Sequence, residues 1–219
     1  MNEQAVAKYQ LLQVGRVEVA ASYLLKGLII GGALYAVIMR DYFMIFSAVI
    51  AIIGSMIPTI LYRQWRIVLP FEFDLILTFF IAVHFILGEL GAFYLKYWWF
   101  DMFLHDFSGV IIGMVGFIWA YMLLHTNKVK AQPWFILVFT FSLAMAAGAL
   151  WEIFEFSMDH AFGFNMQKSG LNDTMGDLIV CADGALFAGI FGFLYLKYHK
   201  ISFIQRIILY WKRRRYKYQ

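Results

Sequence analysis

The sequence is short of the residues that soluble and secreted proteins lean on. Cys181 is the single cysteine in 219 residues, which excludes an intramolecular disulfide. Pro58, Pro70 and Pro133 are the three prolines, too few for a long proline-rich linker. Charged residues make up 15%, against about 25% in soluble domains. Met1–Ala21 lacks the basic segment, apolar stretch and small-residue cleavage site of a signal peptide, so none is expected to be cleaved. What fills the chain instead is apolar: 63% hydrophobic residues, in runs near the roughly 20 residues that cross a bilayer. The expectation is an integral membrane protein.

The runs predict an all-α, polytopic bundle of about six spans: Val17–Met39, Tyr42–Leu61, Leu69–Gly91, Asp101–Leu124, Pro133–Met158 and Asp173–Leu196. Residues 1–200 would form a single transmembrane domain with an amphipathic lead-in over 1–16, and 201–219 a basic amphipathic tail. Basic residues alternate between connections. Lys8, Arg16, Arg63, Arg66, Lys128, Lys130 and eight more from Lys197 to Lys217 lie on one side, and Arg40, Lys96 and Lys168 on the other: fourteen against three, with Lys26 inside the first span. Positive charge stays inside, so both termini are expected in the cytoplasm. Tyr94, Tyr97, Trp98 and Trp99 would then lie at the outer interface, and Tyr62, Trp65 and Trp134 at the inner one. The tail, with Ile204, Ile207, Ile208 and Trp211 among basic residues, reads as an interfacial helix on anionic lipid rather than a nucleic-acid binder.

Orientation gives the few acidic residues their meaning. Glu89, Asp101, His105, Glu152, Glu155, Asp173 and Asp177 all fall on the outer halves of their spans. A charge in hydrocarbon costs roughly 2.5–3.5 kcal/mol on insertion scales and usually marks function. At about 1.5 Å per residue, His105, Asp177 and Glu155 lie some 6 Å inside the ends of their spans and Glu152 about 9 Å inside. Asp101 and His105 are four apart, as are Asp173 and Asp177, while Glu152 and Glu155 are three apart. Each pair therefore shares a helix face, the spacing of carboxylate and imidazole ligands in helical bundles. His105, Glu155 and Asp177 are the candidate metal ligands, for a divalent ion such as zinc, manganese or iron. Glu152 and His105 are the candidate catalytic groups, with Glu152 as general base; Asp101, Asp173 and Glu89 are candidate binding residues. The alternative for Asp101 and Asp173 is an N-cap favoured by the helix dipole.

Other polar residues have plainer readings. His84 and Asp183 lie near mid-span and suggest one hydrogen-bonded pair, or a deeper step in a proton path. Glu72 and Asp74 face Lys26, Arg63 or Arg66 as partners. Asp106 is expected at the headgroups, and Asp159, His160 and Lys168 as solvated loop charge. The connection Ser157–Asn172 is long enough to fold back over the site. Gly27, Gly31, Gly109, Gly113, Gly184, Ala188 and Gly192 have the spacing that lets helix backbones approach closely.

Three segments carry a resemblance: Asp101-Met-Phe-Leu-His105-Asp-Phe-Ser-Gly109, Trp151-Glu152-Ile-Phe-Glu155-Phe, and Asp173-Thr174-Met-Gly-Asp177 with Gly184-Ala185 after it. They resemble the YjdF-type family of bacterial inner-membrane proteins, a group without an assigned molecular function. They are more distantly similar to the VanZ-like membrane proteins, whose pattern usually has an asparagine where Cys181 stands and is not matched at Glu155. The resemblance implies a membrane protein with these acidic and histidine residues at its site, and names no substrate. Three functions fit the residues: metal-assisted chemistry on a lipid headgroup or lipid-linked envelope precursor, proton- or cation-coupled transport, and non-catalytic binding of a lipid or antibiotic.

Overall fold

A computed structural model describes residues 16–65, 71–125 and 132–198. The 1–16 lead-in up to residue 15, the body of the 126–132 connection, the basic tail and the side chains of Tyr62 and Trp65 lie outside the described residues. Every regular element among the described residues is helical: α1 (Arg16–Met39), α2 (Tyr42–Ser55), α3 (Ile57–Trp65), α4 (Phe71–Ala82) running into a π-helical segment (Val83–Leu90), α5 (Phe93–Lys96), α6 (Trp99–His125), α7 (Trp134–Phe162) and α8 (Leu171–Tyr198). Among the described residues five stretches are long and apolar enough to cross a membrane, Val19–Met39, Glu72–Leu90, Trp99–Leu124, Trp134–Phe162 and Leu171–Tyr198, and α2 is a shorter apolar helix. The protein is an all-α bundle of about six spans. Its contacts divide it into two compact units, Met1–Tyr97 and Trp98–Gln219.

In the N-terminal unit, Arg40 takes a left-handed turn (φ 56) and Asp41 accepts the Met44 amide at 3.0 Å to cap α2. The expected second span is broken in two. Pro58 has no amide hydrogen and its ring excludes a helical carbonyl one turn back. The Met56 amide folds onto the carbonyls of Ile52 and Ile53, α2 ends at Ser55, and α3 restarts with Pro58 as its second residue, where a missing donor costs nothing. Lys26 and Asp74 form the expected pair at 3.0 Å, and Ser22 donates to the same carboxylate at 2.8 Å. Ile29, Ala48, Ala51, Ala82 and Phe85 form the core. A Cβ at Gly32 would lie 2.7 Å from the Phe85 ring, while Gly27 and Gly31 have nothing within 4 Å among the described residues. The close approach is therefore at Gly32 and not at the expected pair. In the π segment the Gly91 amide reaches back five residues to Ile86. Tyr94 lies across Gly88 and its hydroxyl pairs with His84 Nδ1.

The C-terminal unit is three long helices, each packed on the other two. Small residues set their spacing. A Cβ at Gly109 of α6 would lie 2.5 Å from the Cys181 carbonyl of α8, one at Gly113 2.6 Å from the Ala188 side chain, and one at Gly148 of α7 2.7 Å from Cys181 Sγ. Backbones this close gain dispersion along their length, the main attraction left between helices in lipid. Matched positions rise together on α6 and α8 and fall on α7, so α6 and α8 are parallel with α7 antiparallel to both. Phe117, Ala120, Ile136 and Tyr195 close the far end.

Candidate metal centre

The site is the polar continuation of that seam. His105 stands four residues before Gly109, Glu152 four after Gly148 and Asp177 four before Cys181, so each shares a helix face with a residue that touches a neighbouring helix. Packing at the seam turns all three inward. Asp177 is 2% exposed, Glu152 4%, and His105 and Glu155 8%, so four ionisable side chains from three helices are more than nine-tenths buried at one level.

His105 is the hub. Its Nε2 lies 3.7 Å from Asp101 Oδ1 and 3.9 Å from Asp177 Oδ2, and its Nδ1 lies 3.7 Å from Glu152 Oε1. One donor atom from each of Asp101, His105 and Asp177 fits within 4.8 Å. Glu155 stands beside this triplet and accepts the Trp151 indole N–H at 2.9 Å. Both Glu152 oxygens and Asp177 Oδ2 are buried without a hydrogen-bond partner among the described residues. Thr174 and Gln167 approach Glu152, and the Gln167 amide donates to the Thr174 hydroxyl at 2.6 Å, which leaves that hydroxyl its own proton to turn to the carboxylate.

Asp101 and Asp173 are each the third residue of their helix. They occupy first turns, where the dipole favours them, but neither is an N-cap. Asp101 turns Oδ1 to His105 and Oδ2 to the ammonium of Lys168. Asp173 accepts the Lys168 backbone amide at 3.1 Å.

The connection between α7 and α8 folds back as a strap, bounded by Gly163 (φ 68) and Gly170 (φ 64), both in the left-handed region. Asp159 accepts the amides of Met166 at 2.7 Å and Gln167 at 2.9 Å. Lys168 and Asp159 are thus parts of a built structure, not the solvated loop charges expected of them. His160 is exposed, with its ring against Phe156. Asp106 does not reach toward headgroups: it lies at the contact with Gly184, near enough to Asp183 for their charges to interact. Glu89 belongs to the π segment of the N-terminal unit and is half-buried.

The sequence places Lys168 in the connection and Trp151 and Thr174 beside the acidic residues, but does not mark Lys168 as the partner of Asp101, Trp151 as that of Glu155, or Gln167 at all. Trp151 and Glu155 are four apart on one helix, a usable signal. Lys168 reaches Asp101 through a turn that only the two glycines permit, and nothing local marks it.

The donor set suits a divalent cation. Two carboxylates and an imidazole are familiar ligands of zinc, manganese and iron. Ligands about 2.1 Å from a tetrahedral ion lie about 3.4 Å apart; the His105 edges at 3.7 and 3.9 Å would contract by a few tenths of an ångström, and the Asp101–Asp177 edge, within 4.8 Å, by up to about 1.4 Å. A carboxylate facing the other imidazole nitrogen, as Glu152 does, fixes the ring and its tautomer in many metal sites.

The fold and this centre define a multi-pass helical membrane protein with a buried acidic and imidazole cluster. Residues 20–198 match DUF2238, a family of predicted membrane proteins, and the chain belongs to that family. An uncharacterized protein of Thermotoga maritima is 30% identical over 128 residues, which cover 58% of this chain and 65% of that relative's length. No solved structure matches.

Proposed function

We propose that the C-terminal unit holds a divalent metal ion on Asp101, His105 and Asp177, and that the ion serves chemistry on a lipid headgroup or lipid-linked envelope precursor at the outer face of the bacterial cytoplasmic membrane. The observation that carries this reading is the set of buried, unpartnered carboxylate oxygens on Glu152 and Asp177, turned toward the two nitrogens of one imidazole. Uncompensated buried carboxylates are costly, and a cation at this point would satisfy them. A bound metal would supply a nucleophile by lowering the pKa of its water. His105 offers Nε2 to the ion, and Glu152 holds the ring through Nδ1. Glu152, whose second oxygen also lacks a hydrogen-bond partner, would be the general base that takes the proton given up by the nucleophile. Glu155, steadied by Trp151, adds negative charge that favours a cation, and Asp173 ties the strap to the site.

The same reading places both termini in the cytoplasm and the basic tail on anionic lipid. It also takes in the likeness to the YjdF-type and VanZ-like proteins, without carrying over a resistance phenotype. The neighbouring Asp106 and Asp183 favour a second reading, a cation- or proton-coupled transporter, because they set two more carboxylates beyond the first group along α6 and α8. Elemental analysis of the purified protein separates the two. Stoichiometric metal, lost in His105→Ala, is the expected result. A metal-free wild type that moves protons in liposomes would replace the first reading with the second.

A further inference from the structure

We infer that Lys168 is a built-in competitor for the metal site, so that metal entry and release of the 163–170 strap are one exchange. The inference rests on the metal reading above and concerns how that site is controlled. Its basis is a cluster with two features beyond acidity: side chains more than nine-tenths buried with unpartnered oxygens aimed into it, and an ammonium delivered to it from a separate element.

Asp101 is the shared group. It presents Oδ1 to His105 Nε2, where an ion would sit, and gives Oδ2 to Lys168. The Lys168 charge also acts on His105, Asp173 and Asp177. One positive charge is therefore spread over the carboxylates that a metal would need. A divalent ion placed among them stands a few ångströms from that ammonium, in surroundings far less screening than water, and like charges at that range strongly oppose each other.

The strap is built to give way. Its two ends turn at glycines, and its contacts with the cluster include the Lys168 ammonium on Asp101, the Lys168 amide on Asp173, and the Gln167 amide on Thr174. Asp159 holds the amides of Met166 and Gln167 from the α7 side. The strap therefore keeps a tether when Lys168 leaves. Coupling of this kind is reciprocal: whatever loosens Lys168 tightens metal binding, and metal loosens Lys168 by the same factor.

The test compares zinc affinity of full-length wild type, Lys168→Gln and Lys168→Arg in detergent, alongside amide exchange of residues 164–169 with and without zinc. Lys168→Gln should bind zinc at least tenfold more tightly, and Lys168→Arg, which keeps the charge, should resemble wild type. Zinc should speed exchange at the Lys168 amide of the wild type. If Lys168 merely supported the fold, Lys168→Gln would bind zinc more weakly. Equal or weaker binding by Lys168→Gln, or strap exchange unmoved by zinc, overturns the inference while the metal site stands. Zinc binding by none of the three proteins overturns both. Binding by Lys168→Gln alone supports it in its strongest form.

Discussion

Asp177→Asn is the substitution in which a metal site and a structural ion-pair cluster differ in sign. Asp177 is 2% exposed, and its Oδ2 lacks a hydrogen-bond partner. Its donor oxygen lies within 4.8 Å of that of Asp101, a separation at which two negative charges repel by about 3 kcal/mol at an effective dielectric of about 20. Asparagine keeps the shape, removes the charge and adds a donor where Asp101 and Glu152 have oxygens to offer. If about half of the repulsion is already relieved by relaxation and by Lys168, Asp177→Asn gains about 1–2 kcal/mol, or roughly 3–6 °C in Tm for a chain of this size. If Asp177 were instead the buried half of a structural ion pair, removing it would cost about 3–5 kcal/mol. Thermal unfolding in detergent with chelator reads the difference directly. Adding zinc at a hundred times its Kd should then raise wild type by about 2.7 kcal/mol and leave Asp177→Asn almost unmoved, so the order of the two proteins reverses. A Tm loss of several degrees for Asp177→Asn in chelator would refute the reasoning and make Asp177 a structural residue.

Cysteines placed singly at Ser169 and Asn127 in a Cys181→Ala background should differ toward an impermeant maleimide on intact cells, with Ser169 labelled and Asn127 protected; the reverse pattern would invert the orientation. Gly109→Ala puts a methyl group 2.5 Å from the Cys181 carbonyl, backbone that cannot step aside, and should cost about 1–3 kcal/mol by overpacking. Unfolding midpoints would show this, and an unchanged midpoint would mean that α6 and α8 are not held at this spacing.

Membrane spans are legible because length and hydropathy decide them: among the described residues five of the six expected segments are helices long enough to cross, and the second is the shorter α2 followed by α3. The break after Ser55 was equally written in the chain at Pro58, but a window average of apolar residues runs straight across it. The π turn at Val83–Leu90 has no comparable mark, since it depends on Tyr94 settling over Gly88 and reaching His84. At the site, depth and helical phase single out His105, Glu152, Glu155 and Asp177, and the structure sets these four side by side. Phase works here because the same faces carry Gly109, Gly148 and Cys181. Partners that arrive from the strap escape such an argument. Lys168 lies 67 positions from Asp101, and Asp106 turned inward because Gly184 opens room beside it.

The seam of Gly109, Gly113 and Gly148 has a meaning beyond cohesion. Side chains can swing and loops can drift, but three backbones in contact hold a fixed gauge, and the groups mounted one turn beyond the contact inherit it. The gap between the Asp101, His105 and Asp177 donors is thereby set by residues with no donor atoms of their own. Discrimination among ions of different radius would then be written in glycines, and adding a methyl group to the seam would retune which cation fits without touching a single ligand.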